Sequence, residues 1–123
     1  MTLKIKQNLK IQAKFWNNVE GYEKGKTQQF WNSILKCFDT SLDPKNYIEY
    51  EKQVKDPNTG STKFIDGYIA RTRVMIEQKS SKIDLSKPES QSDGNKLTPF
   101  EQAARYDNWL PLCERAKYII CSN

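Results

Sequence analysis

Three residues in the middle of the chain have types and a spacing that could support chemistry. Asp66 lies in one apolar run with strand character, and Glu77 and Lys79 lie in the next. If these runs pair as an antiparallel hairpin that turns about Arg71-Thr72, Asp66 lies directly opposite Glu77, and Lys79 points to the same side. Facing carboxylates destabilise a sheet unless their charge is neutralised. A divalent cation such as Mg²⁺ is the simplest neutralising group, since it binds through one or two carboxylates and completes its shell with water and phosphate.

The composition excludes several other kinds of site. The chain has no histidine, which removes Ser-His-Asp and Cys-His hydrolases, histidine-ligated zinc and nucleases with a histidine base. The three cysteines (Cys37, Cys113 and Cys121) are odd in number and lack CxxC spacing, so neither a disulfide framework nor a zinc ribbon is indicated. We therefore predict a reducing, cytoplasmic location.

Size and charge set the broad class. The chain has 123 residues, of which 37% are hydrophobic, and this is typical of one globular domain with a modest core. Lysine and arginine total 20 against 15 acidic residues, a net charge of +5 that suits a polyanionic partner. No apolar run is long enough for a membrane span, so we predict no membrane association.

Periodicity predicts the first elements. Residues 1–25 form a basic helical arm that is interrupted at Gly21 and Gly25, and apolar positions at helical spacing indicate an amphipathic helix over 26–38. Three strands follow, which we predict at 47–54, 63–70 and 73–79.

The second half contains a long polar segment and a well-marked helix. Residues 80–97 show no periodicity. Thr98-Pro99-Phe100-Glu101 then combines a capping box with proline at the first helical position, which predicts a helix to about Leu110 or Cys113. Gln102 and Tyr106 lie four residues apart and so share one face of that helix.

The element order predicts an α/β fold. A last, buried strand at 116–121 returns to the sheet through a helical crossover, so the sheet is mixed, central and flanked by helices, in the order α-β-β-β-α-β. Ile65, Ile69, Val74 and Ile76 should lie on the face opposite the carboxylates and meet a helix there.

This pattern resembles the PD-(D/E)-x-K nuclease superfamily and, more closely, the N-terminal endonuclease domain of single-chain restriction-modification enzymes. The resemblance covers most of residues 26–123. It is carried by the stretches Gln29-Phe30-Trp31, Tyr50-Glu51, Phe64-Ile65-Asp66-Gly67-Tyr68, Ile76-Glu77-Gln78-Lys79-Ser80, Gln91-Ser92-Asp93-Gly94, Leu97-Thr98-Pro99-Phe100-Glu101-Gln102-Ala103 and Tyr118-Ile119-Ile120-Cys121.

The resemblance implies a restriction-endonuclease-like core that cleaves DNA with Mg²⁺, for which Mn²⁺ can substitute. Asp66 and Glu77 would bind the metal together with the main-chain carbonyl of Gln78, and Lys79 would position or activate the attacking water. Ile65 stands where the motif has its proline.

The resemblance also implies partners. Gln102 and Tyr106 match a Gln-xxx-Tyr helix that contacts the DNA substrate or orders the site. The chain carries none of the glycine-rich or Asn-Pro-Pro-Tyr motifs of a methyltransferase. We therefore expect one nuclease domain over 1–123 that is continuous with a methyltransferase and target-recognition region in a longer protein acting on double-stranded DNA; oligomerisation is left open.

Two alternatives remain: a catalytically inactive domain of the same fold that binds DNA or a partner chain, and a stand-alone nuclease of repair or transposition. Glu51 could assist the metal or pair with a lysine, and pairing is the favoured interpretation. Glu23 could also lie near the site.

Overall fold

The computed structural model describes residues 1–19 and 24–123, which form two compact units, Met1–Asn46 and Tyr47–Asn123. Gly21 and Glu23, on which two of the predictions fall, lie outside the described residues. None of the helices in the described ranges combines the length and the apolar character needed to cross a membrane.

The first unit is helical. Helix α1 spans Leu3–Asn17 and helix α2 spans Lys24–Phe38, so the predicted arm and amphipathic helix are both present. The two helices meet where Trp16 Nε1 donates to Ser33 Oγ at 3.0 Å. We predicted that Gly25 interrupts the arm. This was wrong, because Gly25 lies within α2. A four-residue helix, α3, follows at Pro44–Tyr47.

The second unit is built on a mixed four-stranded sheet, which confirms the predicted α/β fold class. In chain order its elements are β1 (Glu49–Lys55), β2 (Thr62–Ile69), β3 (Val74–Gln78), β4 (Glu89–Ser90), β5 (Lys96–Leu97), α4 (Pro99–Asn108) and β6 (Tyr118–Ser122). The strand order is β1-β2-β3-β6; β3 and β6 are parallel, and the other neighbours are antiparallel. The helical crossover into the last strand is therefore confirmed.

The register between β2 and β3 is the predicted one. Gly67 pairs with Ile76 and Tyr68 pairs with Met75, so the next residues along, Asp66 and Glu77, lie across from each other. The loop is wider than the two-residue turn first assumed, since residues 70–73 all lie in the turn and the last of them has a φ of 53°. Four-residue hairpin loops of this kind keep the same pairing.

Helix α4 packs on the sheet through a buried cluster that includes Tyr68, Met75, Ala103 and Tyr106. Ile65 belongs to the same cluster, so our assignment of Ile65 to the face opposite the carboxylates was wrong. Strict alternation would place Ile65 and Tyr68, three residues apart, on opposite faces, so β2 departs from it between these two residues.

One further region was predicted incompletely and another wrongly. The polar segment 80–97, where the lack of periodicity gave no prediction of a helix or strand, contains β4 and β5, which pair as a small antiparallel hairpin. The last strand is an edge strand and is not buried, since Tyr118 is 67% exposed and Ile120 is 40% exposed. An apolar run alone cannot distinguish an edge strand from a central one.

Candidate functional site

The first carboxylate, Asp66, is held against the neighbouring strand. Its Oδ2 accepts a hydrogen bond of 2.7 Å from the main-chain N–H of Gln78 on β3. The β2–β3 register produces this contact, because it carries Asp66 next to the residue that follows Glu77. The two carboxylates of the predicted pair are thus brought together at one end of the hairpin.

The second carboxylate, Glu77, is buried. Only 4% of the residue is accessible, although it lies one residue from the end of β3. The pKa of the Glu77 carboxyl is raised to about 7, chiefly because burial penalises the charged form and secondly because of the nearby charge of Asp66, while the ammonium of Lys79 acts to lower it. Keeping both carboxylates ionised is therefore unfavourable unless more positive charge is brought to them.

Lys79 lies just beyond β3 and connects the carboxylates to helix α4. Its Nζ is 3.1 Å from Oε1 of Glu77 and donates a hydrogen bond of 2.8 Å to Oε1 of Gln102. Its main-chain N–H donates to the carbonyl of Ser122 on β6 at 2.8 Å. Both the main chain and the ammonium group of Lys79 are therefore fixed by neighbouring elements.

The capping box at the start of α4 positions the part of the site that this helix supplies. The Thr98 side chain accepts from the N–H of Glu101, the Glu101 side chain accepts from the N–H of Thr98, and the carbonyl of Thr98 accepts from the N–H of Gln102. Gln102 Nε2 then donates to the hydroxyl of Tyr106 at 3.1 Å. The order Glu77, Lys79, Gln102, Tyr106 is thus one continuous chain of polar contacts.

Glu51 lies beside the candidate site, and its predicted pairing with a lysine stays a prediction. The β1–β2 pairs Tyr50↔Gly67 and Lys52↔Ile65 bracket it, so Glu51 lies opposite Asp66 on β1. Its φ of 53° is unusual for a residue other than glycine within a strand. The turn-forming sequence Asp56-Pro57-Asn58-Thr59-Gly60 could have revealed this position, since a tight turn there fixes the β1–β2 register.

The donor set fits a hard divalent cation. Asp66 and Glu77 supply carboxylate oxygens, and Mg²⁺ commonly binds through one or two carboxylates with water and substrate completing the shell. No group of three or more His, Cys, Asp or Glu side chains in the described part of the chain is arranged to hold a metal. Gln78 reaches Asp66 through its N–H; its carbonyl as a ligand stays a prediction.

Comparison with models of protein families identifies the family of this chain. The family model described as "MmeI, N-terminal domain" matches residues 6–123, which is nearly the whole chain. The chain belongs to the MmeI N-terminal domain family. This family is the N-terminal domain of a type IIG restriction enzyme. No curated protein and no solved structure gave a significant match.

The match assigns no roles to residues, but its extent bears on the site. It includes β2, β3 and α4, and therefore all of Asp66, Glu77, Lys79, Gln102 and Tyr106. In this member of the MmeI N-terminal domain family, the residues singled out from the sequence are neighbours in space, and they lie within the region that defines the family.

Proposed function

We propose that this domain is a Mg²⁺-dependent endonuclease of the PD-(D/E)-x-K type and acts as the cleavage module of a restriction-modification enzyme. The observation that carries the proposal is the convergence of Asp66, Glu77 and Lys79, in which a buried carboxylate is paired with the fixed ammonium group of Lys79. Two carboxylates and a lysine on adjacent strands suit metal-assisted phosphodiester hydrolysis.

Each residue has a separate role in this proposal. Asp66 and Glu77 would hold the cation, with the carbonyl of Gln78 as a third protein ligand. The cation supplies Lewis-acid stabilisation of the charge that develops on the phosphate. Lys79, whose ammonium group is held by Glu77 and Gln102, would orient the attacking water or offset negative charge beside it.

Gln102 and Tyr106 would contact the DNA and keep Lys79 in place. The amide of Gln102 accepts from Lys79 and donates to Tyr106, so its orientation is fixed at both ends. Placement of this kind contributes to rate through the geometry of the reacting groups.

Membership of the family supports DNA as the substrate, because the name refers to a restriction enzyme. It also supports covalent continuity with further regions that would carry methylation and target recognition. A non-catalytic domain that only binds DNA or a partner is the alternative, and the intact Asp66, Glu77 and Lys79 set disfavours it. A stand-alone repair or transposition nuclease is the other alternative. It would not account for the match to a restriction-enzyme family.

The decisive experiment is a DNA cleavage assay on the enzyme as encoded, with and without Mg²⁺. Asp66→Ala, Glu77→Ala and Lys79→Ala should each abolish cleavage, while DNA binding and methylation persist. Glu49→Ala, at the exposed start of β1, serves as the matched carboxylate control. Full Mg²⁺-dependent cleavage by a Glu77→Ala, Lys79→Ala double variant would show that the nuclease lies elsewhere.

A further inference from the structure

A second polar site adjoins the candidate active site. A cavity of about 320 Å³ lies between the β1–β2 turn, the β4–β5 turn and helix α4. Its wall includes Lys63, Ser92, Arg105 and Tyr106. Tyr106 is also the last residue in the chain of polar contacts that begins at Glu77. The cavity therefore borders the candidate active site.

The two carboxylates in the wall are already engaged. Asp56 accepts from the N–H of Asn58 at 2.8 Å and lies 3.9 Å from the guanidinium of Arg105. Asp93 accepts from Arg105 at 2.5 Å and from the N–H of Asn95 at 3.0 Å. Their hydrogen-bonding capacity is therefore directed to the protein, and Arg105 is balanced by both.

The remaining wall groups can donate. Lys63 Nζ donates to Ser92 Oγ at 3.1 Å, and the described residues provide no carboxylate partner for its ammonium group. Tyr106 is 8% exposed, and its hydroxyl accepts from Gln102, so its own hydrogen must point to another acceptor. Among the hydrogen bonds of the described residues, this hydroxyl takes part in the one with Gln102, in which it is the acceptor.

These hydrogen-bond donors indicate which kind of ligand the cavity would bind. A nucleobase edge would bring N–H donors to a wall whose carboxylates are engaged by the protein. A phosphodiester group has only acceptor oxygens and a single negative charge, which matches one unpaired ammonium, a buried phenol hydroxyl and the hydroxyl of Ser92.

We propose that this cavity binds a backbone phosphate of the DNA strand, next to the phosphate that is cleaved, and that Lys63 is its principal contact. The assignment rests on the proposed function, because it takes the strand to pass from Lys79 along α4 to Tyr106. One lysine at a phosphate adds about one unit to the dependence of binding on salt.

The test is DNA binding by this chain without divalent metal, so that no cleavage is required. Fluorescence anisotropy with a labelled duplex, measured over a range of salt concentrations, should give a slope of log K against log salt that falls by about 0.9 for Lys63→Ala. Lys96→Ala is the matched control, since this exposed lysine on β5 lies outside the cavity wall. Tyr106→Phe, which keeps the ring, should weaken binding several-fold.

Each other outcome is informative. Equal changes in slope for Lys63→Ala and Lys96→Ala would overturn the cavity as a phosphate site and leave the nuclease proposal standing. Inorganic phosphate that shifts the Lys63 and Ser92 resonances in NMR spectra, with no competition from DNA, would mean a free-anion site and would also overturn it. If the wild-type chain binds no duplex, the cavity proposal fails, and cleavage by the intact enzyme judges the nuclease proposal separately.

Discussion

Glu77 and Lys79, two residues apart at the end of β3, form an ion pair of 3.1 Å in which the glutamate side chain is 5% exposed and the lysine side chain is 22% exposed. The carboxylate is thus far more desolvated than its partner. Removing one partner of a buried pair usually leaves an uncompensated charge that is costly. The pair therefore couples ionisation of the candidate site to folding.

The first prediction concerns stability against pH. The pKa of Glu77 is raised from 4.5 to about 7, so the unfolded chain loses this proton at a lower pH than the folded protein does. Between these values the folded state holds more protons, and the free energy of unfolding must fall as the pH rises, by at most about 3 kcal/mol. Above pH 7 this contribution levels off. Urea denaturation of wild type and Glu77→Gln from pH 4 to 8 measures it.

The expected difference lies in the slope. Glu77→Gln should lose the decline between pH 4.5 and 7, whereas Glu49→Gln, an exposed carboxylate on β1, should retain it. Parallel curves for wild type and Glu77→Gln would mean that Glu77 is ionised in the folded protein across this range.

The second prediction concerns metal. Mn²⁺ or Mg²⁺ should raise the melting temperature by a few degrees, since a ligand at tenfold its Kd stabilises by about 1.4 kcal/mol. The effect should grow from pH 6 to 8, because the cation must displace the proton from Glu77. Asp66→Asn should remove the shift and Asp93→Asn, at the β4–β5 turn, should retain it. The same shift in both variants would place the metal elsewhere.

The sequence predicted the part of the fold that depends on local signals. The apolar runs on either side of residues 70–73 gave the β2–β3 register, and the Thr98 capping box gave the start of α4. Helical spacing gave Gln102 and Tyr106 a common face, which the bond between their side chains confirms. These features are encoded within a few residues of one another.

Features that depend on distant contacts could not be predicted in this way. Ile65 and Tyr68 belong to one buried cluster because β2 departs from regular alternation between them. The sequence has no local signal for this departure. The contact of Lys79 with Gln102 joins residues brought together only by the crossover to β6. Arg105 likewise reaches Asp56 and Asp93 through tertiary packing alone.

The third prediction separates placement from chemistry. Gln102→Ala should lower the cleavage rate of the intact enzyme by about tenfold to a hundredfold, because Lys79 loses one of its two partners but keeps Glu77. Lys79→Ala should be inactive. Gln102→Glu, which retains an acceptor for Lys79, should recover part of the rate. Loss of activity in Gln102→Ala as complete as in Lys79→Ala would give the amide a direct role in the reaction.

The fourth prediction concerns the cap of α4. Thr98→Ala removes the side-chain acceptor for the N–H of Glu101, and N-cap substitutions of this kind cost about 1 kcal/mol. Thr98→Ser should be close to wild type in chemical denaturation. Thr40→Ala, at an exposed position in the first unit, is the control for a general effect of the substitution. Equal stability of Thr98→Ala and wild type would mean that the capping box contributes little.

The last prediction concerns the turn that joins β2 to β3. Arg73 has a φ of 53°, a left-handed conformation that costs a residue with a Cβ roughly 1 kcal/mol and costs glycine little. Its contacts at the start of β6 are made by its main-chain carbonyl, which accepts from the N–H of Lys117 at 2.7 Å and from that of Tyr118, the first residue of β6, at 3.3 Å, so they survive a change of side chain. Arg73→Gly should therefore raise the free energy of unfolding by about 0.5 to 1 kcal/mol, offset in part by the greater freedom of glycine in the unfolded chain. Arg71→Gly, in the same turn without a positive φ, should lower it. If denaturation shows Arg73→Gly to be the less stable of the two variants, the turn adopts a different conformation, and the register that sets Asp66 across from Glu77 needs another explanation.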